Sequence, residues 1–233
     1  MRLNDGESDT RELVYILSAL SYFLKTHKSL ETLCLSGLER IKSKIESSLE
    51  LGESIVLMQC IRNLDHKVDK ELQKLIEKGA LSHMWEWLPS DLLTVLYYYS
   101  SKARINGSQI PEELEVFLRT YLGEFKNRLN AVQFAEIVEH IGIIQRLGRA
   151  SFNIRLYDAL NATLYRDYYR FSARELRSLV SGFSAIKLEA SKERGLQKLK
   201  KLILESKRDI DDQGKLELLQ CLLEHDLDPI LDP

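Results

Sequence analysis

Proline is scarce in this chain of 233 residues, with four in all, and cysteine (three), methionine (three) and tryptophan (two) are scarcer still. So few prolines leave long stretches free to hold an unbroken helical hydrogen-bond ladder. No run of about 18 uninterrupted apolar residues occurs, which argues against a membrane-spanning helix. Strand-like alternation is hard to find and leucine dominates the 44% apolar content, so the composition points to an all-α chain with material for a substantial core. Cys34, Cys60 and Cys221 lie far apart, each within helical periodicity. They suggest a reducing compartment or buried thiols rather than a disulfide framework. The opening stretch MRLNDGESDT carries Asp5, Glu7 and Asp9 and has neither an apolar signal segment nor an acid-free, Arg-rich presequence, so it does not read as a targeting peptide.

Catalytic chemistry is equally thin. Cys221 and His225 stand four residues apart on one helix, yet no second pair with ligand spacing lies nearby, so no metal site is expected. His27, His66, His83 and His140 are scattered, and no glycine-rich phosphate loop is present. The reading is a non-enzymatic chain without a cofactor.

What the chain does hold is a repeated unit, clearest over Arg170–Leu204. Ser172 and Glu175 have the spacing of a capping box, and Phe171 can staple onto Leu176. Leu176, Leu179, Val180 and Phe183 follow helical spacing, and after a short turn Leu196, Leu199, Leu202 and Ile203 repeat it in a second helix. Asn130 and Gln133, with Leu129 and Phe134, restate the same start signal. Pro89 suits the first turn of another helix, followed by Leu92, Val95, Leu96 and Tyr99. Asp9–Glu12 offers a further capping box ahead of Leu13, Ile16, Leu17 and Leu20. The weakest pair restarts near Gly52, breaks near Asp65 and is expected to close at Gly79.

The first position of each stripe falls at Leu13, Ser54, Leu92, Phe134, Leu176 and Leu216, giving intervals of 41, 38, 42, 42 and 40 residues. A period near forty with two helices per period predicts an α-solenoid of about five helix-turn-helix repeats. The expected organisation is an N-terminal tail (1–8), one solenoid domain (9–227) with repeats over 9–50, 51–86, 87–128, 129–170 and 171–208, a polar, acidic capping helix over 211–225, and a C-terminal tail (228–233). An irregular helical bundle is the alternative.

Charge is unevenly spread. Arg146 to Arg208 holds fifteen basic and six acidic residues, a local +9, so the rest of the chain carries −11 to reach the overall −2. From Asp209 on, eight acids face only Lys215. In the last repeat Arg194, Lys198 and Lys201 recur at four and three residues, a stripe expected opposite Leu196, Leu199 and Leu202. Arg155, Arg166 and Arg170 extend it into the preceding repeat. Such a strip suits phosphate contact, but Glu193 and Glu205 share the helix, and a solvated charged face fits equally. The run Leu164–Phe171 interleaves tyrosines with arginines, as single-strand RNA platforms do, although aromatic residues at a repeat end also pack on the next repeat. Tyr97, Tyr98 and Tyr99 must point in different directions within one helix, with Tyr99 in the core. Trp85 and Trp87 beside a helix start form a candidate partner-binding contact, with packing between repeats as the other option.

The repeats resemble the helical repeats of octotricopeptide-type organellar RNA-binding proteins and their FAST-kinase-like and RAP-domain relatives. Phe171-Ser172-Ala173-Arg174-Glu175-Leu176 through Phe183 and Ile186 carries the likeness. Leu129-Asn130 to Ile141 and Leu88-Pro89-Ser90-Asp91-Leu92 carry it over 87–205. No copy of the RAP module follows. The resemblance implies binding of rRNA or an organellar transcript, or membership of an organellar ribonucleoprotein such as a mitochondrial ribosome, without catalysis, and a mitochondrial location. Without that likeness the location expected is cytoplasmic and the function a protein–protein scaffold, with the acidic tail answering a basic neighbour.

Overall fold

The computed structural model describes residues 7–44, 49–124, 129–148, 152–164, 170–206 and 209–225. Among these residues the chain is all-α, with eleven α-helices, two short 3-10 turns and no strand. No described helix is long and apolar enough to cross a membrane. Contacts divide the chain into two compact units, Met1–Ile105 and Asn106–Pro233. The division falls at the Asn106–Gly107–Ser108 turn, inside the third expected repeat. There Gly107 takes φ +66°, a conformation that a side chain would resist.

The first unit holds α1 (Glu7–Tyr22), α2 (Leu30–Lys44), α3 (Leu51–Asn63), α4 (Lys70–Ser82) and α5 (Pro89–Asn106). Helix α1 packs on α2 and α3, and α3 packs on α4. Its start differs from expectation. Helix α1 is already formed at Glu7, so Asp9 lies within it and is not its cap. Helix α3 opens instead on a box that sequence did not suggest, in which the Glu50 N–H donates to Glu53 Oε2 at 3.2 Å. Gly79 does not stop α4, which continues to Ser82. It is small because Ser54 crosses there, and a Cβ on Gly79 would lie 2.4 Å from Ser54 Oγ.

The second unit holds α6 (Glu112–Glu124), α7 (Ala131–Leu147), α8 (Ile154–Leu164), α9 (Ala173–Ser184), α10 (Glu189–Ser206) and α11 (Asp212–Glu224). Both expected capping boxes are present. Asn130 and Gln133 exchange bonds of 2.9 and 3.1 Å, and the Ser172 N–H donates to Glu175 Oε2 at 2.6 Å. Alternate helices pack together: α7 with α9 and α9 with α11 in one row, α6 with α8 and α8 with α10 in another, with α10 also on α9. The bonds between neighbours recur at nearly one spacing. Ser178 donates to Glu139 across 39 residues, Arg177 to Glu217 across 40, and the Asn153 N–H to Glu115 across 38. Where α7 and α9 cross, Gly142 and Gly182 meet backbone to backbone.

The apolar stripes of α3, α5, α7 and α9 lie in the core. Leu57, Met58 and Ile61 in α3, Leu92, Val95, Leu96 and Tyr99 in α5, Phe134, Ile137, Val138 and Ile141 in α7, and Leu176, Leu179, Val180 and Phe183 in α9 are all buried. Tyr98 joins Tyr99 inside, and Tyr97 stays half-exposed with the Arg62 guanidinium 5.2 Å from its ring centre.

Candidate nucleic-acid interface

Of the six cations proposed from sequence, five lie on described residues of the second unit, and Arg166, with the tyrosines around it, lies outside them. Arg155 stands exposed in the first turn of α8, where its N–H donates to Asn153 Oδ1. Asp158, one turn further on, places Oδ1 3.6 Å from Arg194 Nη1 of α10. Residues three apart share a helix face, so Arg155, Asp158 and Arg194 form one surface group in which Asp158 offsets one of the two positive charges. Lys201 is well exposed and pairs with Glu205 at 3.7 Å. Both ion pairs are long and solvated, and contacts of that kind contribute little, so a phosphate can displace them.

The remaining two cations, Arg170 and Lys198, line an open groove of about 950 Å³ bordered by the start of α9, the second half of α10 and the start of α11. Arg174, which sequence did not single out, joins them. Phe171, Leu202 and Ile210 supply apolar lining. Four carboxylates share the groove: Glu205, Asp209, Asp211 and Glu217. Asp211 caps α11 by accepting from the Gly214 N–H at 2.8 Å. Gln213 and Arg177 both donate to Glu217, which holds its carboxyl below the usual range. Three cations against four carboxylates make this groove a mixed-charge channel rather than a simple phosphate cradle.

The buried face of α10 is turned from the one expected. Ser191, Gly195, Leu199 and Ile203 are buried, and Leu196 and Leu202 are only half-buried. Gly195 sits there because the Phe183 ring of α9 presses on it, leaving 2.3 Å for an added Cβ. Lys198 is accordingly half-buried at the groove edge, whereas Arg194 and Lys201 remain on the exposed side.

The tryptophan pair separates. Trp85, in the 3-10 turn Met84–Glu86, is 58% exposed, and Trp87 is 3% exposed. Trp87 is therefore corrected from partner contact to core. A 3-10 turn rotates about 120° per residue, so positions two apart cannot share a face, and Trp87 leaves the turn in an extended conformation.

One polar cluster in the first unit escaped sequence reading. Glu77 accepts from the Tyr98 hydroxyl at 2.6 Å and from the Lys102 ammonium, with both charged side chains largely shielded from solvent. The His66 ring lies 4.8 Å from that of Tyr98, and neither of its nitrogens has a hydrogen-bond partner. Asp65 and His66 both take positive φ, 51° and 56°, in a turn that Gln73 clamps by donating to the His66 and Val68 carbonyls. Burial, reinforced by Lys102, pushes the His66 imidazole down to about 4. The nearest sequence signals were a break at Asp65 and a run of three tyrosines. Neither says that the two meet.

These features define the class: an all-helical protein with a mixed-charge groove and an adjoining cationic surface on its second unit. No protein-family model, no curated protein and no solved structure matches this chain.

Proposed function

We propose that the chain is a non-enzymatic helical-repeat subunit of a ribonucleoprotein assembly, built as an α-solenoid of about five helix pairs, that meets RNA along the cations of α8 and α10. The organellar, mitochondrial-type setting comes from the repeat resemblance alone. The row-on-row packing of alternate helices and the neighbour contacts recurring at 38–40 residues support the solenoid. The observation that carries the RNA reading is the exposed α8–α10 surface, which gathers Arg155, Arg194 and Lys201 and on which the Arg194–Asp158 and Lys201–Glu205 pairs are long and solvated. The four carboxylates in the groove favour the second reading, a scaffold that holds protein neighbours without touching RNA.

A labelled single-stranded RNA pool, titrated across a salt series, separates the two. Direct contact predicts binding that weakens steeply with salt. The triple variant R194E/K198E/K201E loses it, and each phosphate contact removed lowers the logarithmic salt slope by about 0.7. Binding that ignores salt, or that survives in the variant, refutes contact along this surface. Absence of binding at low salt leaves the scaffold reading.

A further inference from the structure

The first helix of each repeat carries the same apolar stripe, and its burial can be compared copy by copy. At all sixteen stripe positions of the interior copies, on α3, α5, α7 and α9, the side chains are buried, Ser54 of α3 included, whereas in the first copy, on α1, Leu17 alone is buried and Ile16 is 55% exposed. The sixth copy, on α11, is open. Leu216 is 60% and Leu223 57% exposed, Leu219 is half-buried, and Gln220 replaces the remaining apolar residue. At 100° per residue the three leucines fall within an arc of about 60° on one side of α11.

The position of this arc says what is missing. In α9 the equivalent residues are Leu176, Leu179 and Phe183, and Phe183 is covered by α10 at Gly195. The residues by which α9 meets its next row neighbour, Ala173 and Arg177, correspond on α11 to Gln213 and Glu217. Helix α11 is thus polar where another row member would stack, and Gln220 and Glu224 continue that polar side. It is apolar where a covering helix like α10 would lie. The expected polar cap is present on one side of α11 only.

We propose that the Leu216–Leu219–Leu223 face of α11 is a docking site for one basic amphipathic helix of a partner protein, which covers α11 as α10 covers α9. Charge selects the occupant. Residues 209–225 hold five carboxylates, Asp209, Asp211, Asp212, Glu217 and Glu224, and one cation, Lys215, a net −4 of which Arg177 of α9 offsets one at Glu217, and the remaining negative charge favours a cationic flank. Helix α10 is the internal example of such an occupant, with Lys192, Arg194, Lys198, Lys200 and Lys201 beside its leucines. The site is independent of the RNA reading, since it lies on α11 and involves none of the proposed RNA contacts.

The test uses the full chain and a fluorescent peptide with the α10 sequence, residues 189–206, with a scrambled peptide of the same composition as control. Anisotropy is measured against wild type and against L216E/L223E, whose two positions are exposed and whose fold is checked by circular dichroism. The expected result is binding of the α10 peptide alone, weakened about tenfold or more in the variant, as loss of central apolar anchors does. Equal binding to both proteins, equal binding of the scrambled peptide, or no binding to wild type overturns the proposal. Sedimentation velocity adds a further refutation: a wild-type dimer that L216E/L223E dissolves makes the occupant a second copy of this chain.

Discussion

Gly142→Ala sets two physical effects of opposite sign against each other, and the structure decides between them. In a helix interior alanine is favoured over glycine by about 0.8–1.0 kcal/mol, so an exposed site would gain stability. Gly142 is not exposed. A Cβ there would lie 2.6 Å from Gly182 Cα and 2.9 Å from Gly182 O, and a Cβ on Gly182 would lie 2.5 Å from Val138 O. These neighbours are backbone atoms of a helix, so no rotamer can yield, and relief requires α7 and α9 to separate by roughly 0.5–1 Å. A gap of that size forfeits about a quarter to a half of each affected dispersion contact, along an interface that includes the buried Val138. Overpacking of this kind costs about 1–3 kcal/mol or more, which exceeds the propensity gain. Against the propensity gain, the expected net result is destabilisation of up to about 2 kcal/mol, read as a lower urea midpoint by circular dichroism. Gly182→Ala should behave alike, and the double variant should cost less than the sum because one separation relieves both clashes. Gly52→Ala is the control, since nothing lies within 4 Å of its added Cβ, and it should leave the midpoint unchanged or slightly raised. A Gly142→Ala protein as stable as wild type, or more so, would refute the close crossing.

Two further outcomes follow from the polar cluster of the first unit. The folded His66 imidazole titrates near 4, below its unfolded value of about 6.5, so the stability it provides is complete above that value and is lost as pH falls towards 4. Burial and the charges of Lys102 and Arg62 oppose its protonation, Glu77 and Asp65 favour it, and the net loss between pH 7 and pH 5 is about 2 kcal/mol. Urea midpoints at the two pH values should show this loss for wild type but not for His66→Asn, a residue that tolerates positive φ; parallel losses would exclude His66 as the source. Glu77→Leu should cost about 2–4 kcal/mol by stranding the Lys102 ammonium and the Tyr98 hydroxyl, and adding Lys102→Met should restore part of it in a double-mutant cycle. Strict additivity would mean that the pair is not coupled.

The parts of the fold legible in sequence are those that depend on residues a few positions apart. The Ser172–Glu175 and Asn130–Gln133 boxes and the Pro89 start are each specified by neighbours in the chain, and each is found where expected. The stripes of α5, α7 and α9 were equally readable, because helical periodicity is local. The Glu50–Glu53 box was not, because glutamate is an uncommon cap and carries no signal of its own. Gly79, read as a stop, is a point of close approach by Ser54, and Gly142 and Gly182 announce nothing until the crossing of α7 and α9 is known. The candidate site divides the same way. Spacing placed Arg194, Lys198 and Lys201 on one side of α10, but the packing of Phe183 on Gly195 set the rotation that half-buries Lys198 and brings it to Arg170 and Arg174.

The stripe on α11 separates pattern from burial most sharply. By spacing alone Leu216, Leu219 and Leu223 are equivalent to Leu176, Leu179 and Phe183, and periodicity assigns both sets to a core. Periodicity records that a side of a helix is apolar and is silent on what covers it. Burial answers that for α9, through α10, and leaves the same positions of α11 open. Transferring a leucine side chain out of water contributes about 1.5–3 kcal/mol. Two leucines more than half exposed therefore leave unrealised a free energy comparable with a substantial fraction of a domain's total stability. A polar substitution at either position would cost the isolated fold little. The proposed covering helix explains the apolar choice there, and the acids of residues 209–225 specify the charge that helix should carry.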